Sequence, residues 1–109
     1  MDTKKLEAML AGGEDNALLR FTLGNVLFQQ KKYAEAEPHL ARAVELDPNY
    51  SAAWKIYGRT LGAAGKIPAA VAALTQGIEI ASERGDVQAA KEMTVFLRRL
   101  EKLSADYAD

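Results

Sequence analysis

One spacing constrains this chain more than anything else in it. Gly24 and Gly58 stand 34 residues apart, and the same step pairs Leu23 with Tyr57, Leu27 with Leu61, Ala36 with Ala70 and Leu40 with Leu74. It continues through Tyr33 with Ile67, Ala43 with Gly77, Val44 with Ile78 and Leu46 with Ile80. Small residues meet small ones and large apolar residues meet large apolar ones. A sequence that repeats at this period is built from stacked supersecondary units, each unable to bury its apolar face alone. The remaining 109-residue arithmetic is secondary: one small domain, not two.

Each unit reads as a pair of helices. Asp15 and Asn16 offer N-caps to a helix over 17–29, and Ser51 offers one to a helix over 52–64. The turns Gln30-Lys31-Lys32 and Gly65-Lys66 end these first helices, and second helices follow over 33–46 and 67–81. Pro68 falls in a first turn, where its missing N–H costs little. Pro38 lies further in and should cost a backbone bond. Gly24 with Ala36, and Gly58 with Ala70, are the places where two helix backbones can approach closely. Leu23, Leu27 and Leu40 surround that contact, each supplying about 1.5–3 kcal/mol if fully buried.

Trp54-x-x-Tyr57-Gly58-x-x-Leu61 with Ala70-x-x-x-Leu74, and Leu23-Gly24-x-x-Leu27 with Ala36-x-x-x-Leu40 and Pro48, resemble the tetratricopeptide repeat. The resemblance covers residues 17–84 and implies an all-α fold: a right-handed stack of antiparallel helix pairs. Arg20 replaces the tryptophan of the first unit, and Gly77 an alanine of the second, which predicts a looser second unit.

The ends are expected to be caps. Residues 1–14 form an N-terminal capping helix, 17–50 the first repeat, 51–84 the second, and 85–109 a C-terminal capping helix and tail. Gly85 and Asp86 mark the start of that last helix, over 87–103. Val87, Ala90, Thr94 and Leu97 are predicted to pack on the second repeat. Ala89, Met93, Phe96, Leu100, Leu103 and Tyr107 make a second stripe at steps of four and three.

The composition narrows function. Fourteen basic and fifteen acidic residues give a net charge of −1, without the basic excess that nucleic-acid binding favours. There is no cysteine and a single histidine, His39, which removes thiolate chemistry and a histidine-built metal cage though not carboxylate-bound metals; no metal or cofactor is assigned. No apolar run approaches the ~20 residues that span a bilayer, and no signal-like segment precedes the repeats. Cytoplasmic location without a membrane partner is the expectation. No residue is assigned a catalytic role.

The resemblance implies a concave groove lined by the first helix of each repeat and open to a peptide. Carried over position by position, the groove takes Phe21, Asn25, Phe28 and Gln29 from the first unit and Lys55 and Arg59 from the second. Met93 and Phe96 come from the last helix. Lys55 and Arg59 are expected to favour an acidic protein or peptide partner. The clamp with which some members hold chaperone C-termini is not matched, since Phe21 and Ile56 replace two of its polar residues. An alternative role is self-association as a homodimer, or capping of a complex, through Leu100, Leu103 and Tyr107.

Overall fold

The computed structural model describes residues 2–107, with side chains through Ala105. Six helices follow one another, and no strand occurs among the described residues: α1 (Lys4–Ala11), α2 (Ala17–Gln29), α3 (Tyr33–Leu46), α4 (Ser51–Ala63), α5 (Ile67–Glu83) and α6 (Val87–Tyr107). α2 packs on α3, α3 on α4, α4 on α5 and α5 on α6, so neighbours in sequence are neighbours in space. α6 also reaches α4, whereas α1 touches only α2. The result is an elongated slab of 48 × 31 × 20 Å.

Local chemistry explains most boundaries. The Asn16 side chain accepts a hydrogen bond from the Leu19 N–H at 2.9 Å, an N-cap for α2. Lys31, Gly65 and Gly85 take positive φ angles of 62°, 81° and 77° after α2, α4 and α5, and so end those helices. Ser51, expected as a cap, instead lies inside α4 and is buried; Tyr50 holds the cap position with no side-chain bond. What fixes the start of α4 is Trp54, whose indole N–H donates to the Pro48 carbonyl at 2.8 Å. α3 runs through Pro38 without breaking.

The glycine contacts set the spacing of each pair. A Cβ on Gly24 would fall 2.5 Å from Leu40 Cγ, and one on Gly58 would fall 2.5 Å from Leu74 Cδ2. Leu40 and Leu74 are wholly buried, as are Ala36 and Ala70. The two units therefore close by the same device.

Gly77 does not loosen the second unit. A Cβ there would meet Met93 Sδ at 2.6 Å and Trp54 Cβ at 2.7 Å, so the glycine is where α4 and α6 both press against α5. Among the described residues no buried side-chain polar atom lacks a partner. Thr60, fully buried, is satisfied by donating to the Ile56 carbonyl at 2.7 Å.

The last helix departs from the expected register. α5 continues to Glu83, three residues past Ile80, the counterpart of Leu46 at the end of α3. α6 starts 36 residues after α4, not 34, and its buried Met93 stands 37 residues after the buried Ile56. At that step Ile56 corresponds to Met93, Lys55 to Glu92 and Arg59 to Phe96. Ala89 and Met93 are buried against Leu74 and Ala81, with Ala90, Phe96, Leu97 and Leu100 packed around them. Val87, expected to pack, is 59% exposed. Val95 is 49% exposed. Of the second stripe, Ala89, Met93, Phe96 and Leu100 therefore pack inward, while Leu103 stays 47% exposed.

Candidate functional site

α2, α4 and α6 lie side by side on one face of the slab, and their facing side chains divide it into three parts. At the N-terminal ends of α2 and α4, Phe21 packs its ring 4.9 Å from that of Tyr50. Both rings rest on the Ala43, Val44 and Ala53 cluster. Phe21 is spent on that contact and does not line the pocket described below. Leu18, one turn before it, is exposed.

In the middle, Lys55 of α4 and Glu92 of α6 form an ion pair at 2.5 Å. Glu92 Oε1 accepts a second hydrogen bond, from Gln88 Nε2 at 3.0 Å. The Lys55 hydrogen bond, followed by that from Gln88, holds the Glu92 carboxyl below the usual range. Lys55 is therefore engaged within the chain, contrary to its expected role as a free selector of acidic partners. Asn25 of α2 is half-buried, and Gln29 is exposed at the end of that helix.

At the far end the structure brings Phe28, Arg59 and Phe96 together. The Arg59 guanidinium carbon lies 5.0 Å from the Phe28 ring centre and 4.4 Å from that of Phe96. Arg99 approaches Phe96 at 5.6 Å. Such cation–π contacts contribute about 0.5–2 kcal/mol each, the more so when partly desolvated. Tyr33 adds its ring 5.6 Å from Phe28. Together with Gly62, Ala63, Leu100 and Leu103 these residues enclose a pocket of about 320 Å³ with a mainly apolar lining.

Gly58 and Gly62 present bare backbone on α4, and Leu74 of α5 closes the floor. The nearest side chain to Gly62 is Leu100, whose Cδ2 would stand 3.3 Å from a Cβ there.

Other assignments are corrected by this geometry. Met93 has no exposed surface and packs under Gly77, so it is a core residue and not a groove anchor. Leu100 packs against the Leu61, Ala70 and Ala73 cluster, which removes it from a free dimerisation stripe. Leu103 is 47% exposed at the pocket rim. The Tyr107 side chain lies outside the described residues. Glu92, Tyr33 and Arg99 were missed by carry-over at 34 residues.

A second polar cluster sits at the other end of the slab, around Arg20. Arg20 Nε donates to Asp15 Oδ1 at 2.8 Å, and its Nη1 lies 3.2 Å from His39 Nδ1. The hydrogen bond from Arg20 pulls Asp15 below the usual carboxylate range. Burial first, then the Arg20 charge, lowers the affinity of His39 for a proton. Arg20 occupies the place of Trp54 in the second unit; it bonds Asp15 ahead of α2 and His39 on α3, whereas Trp54 bonds the Pro48 carbonyl.

The comparisons agree with this architecture. The tetratricopeptide repeat family model matches residues 27–93. A TPR repeat-containing protein of Pseudomonas aeruginosa is 52% identical over 97 residues, spanning 89% of this chain and 92% of the relative. A Bordetella parapertussis protein solved in solution shares 47% identity with a TM-score of 0.83, covering 98% of this chain and 93% of its own. A tetratricopeptide repeat domain protein of Salinibacter ruber, 22% identical with a TM-score of 0.76 and covering 88% of this chain and 99% of its own, shares the fold. The chain belongs to the tetratricopeptide repeat family, whose members are generally non-catalytic protein–protein interaction modules.

Proposed function

We propose that this protein is a non-catalytic interaction module that offers the α2–α4–α6 face to an acidic protein or peptide segment, with the pocket around Arg59 as its anchor point. One observation carries the reading: Arg59 lies over Phe28 and Phe96 beside an apolar pocket, with no carboxylate within ion-pair distance among the described residues. A guanidinium stacked in this way keeps its N–H edges for an outside acceptor. Apolar surface left uncovered beside it adds contact area for a partner. The self-association reading is weakened by the inward packing of Leu100.

The reading is tested by partner capture in the source cell with wild type, Arg59→Glu and Lys91→Glu. Lys91 is exposed on α6 and lines no part of the pocket. The expected result is a protein retained by wild type and Lys91→Glu and lost with Arg59→Glu. Identical captured sets for all three would remove the pocket from the interaction.

A further inference from the structure

We propose, resting on that reading, that the pocket recognises a two-part motif: one carboxylate side chain adjoining one bulky apolar side chain in an unmodified peptide. Arg59 stands over both the Phe28 and Phe96 rings and enters no ion pair among the described residues, so its N–H donors remain for an outside acceptor. A planar acceptor with two oxygens fits those donors best. The carboxylate nearest to hand inside the chain is not available for the task. Glu92 Oε2 accepts from Lys55 and Oε1 from Gln88, so both oxygens are engaged. Arg99, at the same ring, supplies a second cation at the rim. A single negative charge suits this rim better than a dianion, because Glu92 stands on the same α6 wall.

The apolar part of the motif follows from what lies beneath the arginines. Phe28, Tyr33, Leu100 and Leu103 wall a slot of about 320 Å³ whose backbone side is open at Gly62. A leucine- or phenylalanine-sized side chain would cover Leu103, now 47% exposed. Burial of such a side chain and pairing of the carboxylate are separate contributions, so loss of either should weaken binding without abolishing the other.

The test is selection of random heptapeptides displayed on phage against the wild-type protein, followed by synthesis of the enriched peptide and its acid-to-amide counterpart. The enriched set should share Asp or Glu beside a bulky apolar residue. The amide peptide should bind roughly 10-fold more weakly to wild type, the loss expected of a charge-assisted pair. That gap should close on Arg59→Gln and persist on Arg59→Lys, with thermal unfolding of each variant confirming a folded chain. Arg99→Gln gives a second variant, expected to narrow the gap in part. Enriched peptides that need Phe28 and Phe96 but carry no acid, or an amide peptide binding equally well, would overturn the motif and leave the interaction reading standing. Enrichment indifferent to Phe28 and Phe96 would overturn both.

Discussion

The two helix pairs close with the same contact and are finished differently. Gly24 under Leu40 and Gly58 under Leu74 are superimposable in kind, with a missing Cβ at 2.5 Å from the leucine in each. What differs is the neighbour beyond. On the side away from α4 the first pair meets the short α1, on which no residue is fully buried, and it completes itself with the Asp15–Arg20–His39 cluster. The second pair receives α6, and Met93 drives into the space over Gly77. The packing rule belongs to the repeat, whereas the finish at each end is set by what the pair must cover.

The largest effect that distinguishes the ends is expected from truncation. Removing residues 86–109 strips Met93, Phe96 and Leu100 from the Leu74 and Ala81 cluster and leaves two repeats with one face bare, fewer units than usually sustain a stack. Circular dichroism on heating should show no cooperative transition. Removing residues 1–13 should leave a cooperative transition, since α1 adds only partly buried Leu6 and Leu10. Equal losses from the two truncations would erase the contrast.

Next in size, Leu40→Ala and Leu74→Ala should each cost about 2–5 kcal/mol by denaturant unfolding, as cavities in a fully packed site do. Similar values at the two positions would support the shared device.

Glycine substitutions sharpen the comparison at a smaller scale. Gly77→Ala should cost about 1–3 kcal/mol, because Trp54 Cβ at 2.7 Å is fixed to a helix backbone and cannot swing away. Gly58→Ala meets atoms further along a leucine side chain and gains up to about 1 kcal/mol of helix propensity. It should therefore lose less than Gly77→Ala. The opposite order would show that α6 does not press on α5 as described.

The smallest effect concerns pH and the first pair alone. His39 binds a proton less readily folded than unfolded, through burial and Arg20, with Glu7 and Asp15 opposing the shift. Stability linked to this group is complete above its unfolded value of about 6.5 and falls as pH drops below that. Melting temperatures should decline less steeply in His39→Gln than in wild type between pH 6.5 and 5. Parallel curves would mean that His39 carries no such linkage.

Much of this architecture is legible in the sequence, and the reason is local. The bounds of α2 and α3 follow from the apolar period and the turn residues that end each helix. The pairing of helices follows from Gly24 and Gly58, because only a missing side chain permits the approach of Leu40 and Leu74. What the period hid is the extension of α5. Ser82 and Glu83 continue a helix as readily as they end one, so nothing in them announces that α6 slips past the 34-residue step.

The site shows the same division. Phe96 falls on the open face under either step, opposite Gly62 or Arg59, whereas Met93 changes from groove to core. The basic character read into Lys55 was lost to Glu92, a partner 37 residues away whose facing depends on that slip. Phe21 reads as an exposed groove residue until Tyr50 is placed against it, a contact between α2 and the start of α4 that no single-helix periodicity can reveal.

The register of α6 creates both the Met93 core contact and the Phe28–Arg59–Phe96 pocket, and nuclear Overhauser contacts test it most directly. The account predicts cross-peaks from the Met93 methyl to the Gly77 Hα and Trp54 Hβ protons, together with contacts between the Phe96 ring and Arg59. Cross-peaks placing the Val87 and Thr94 methyls against Gly77, with the Met93 methyl free of Trp54, would contradict it.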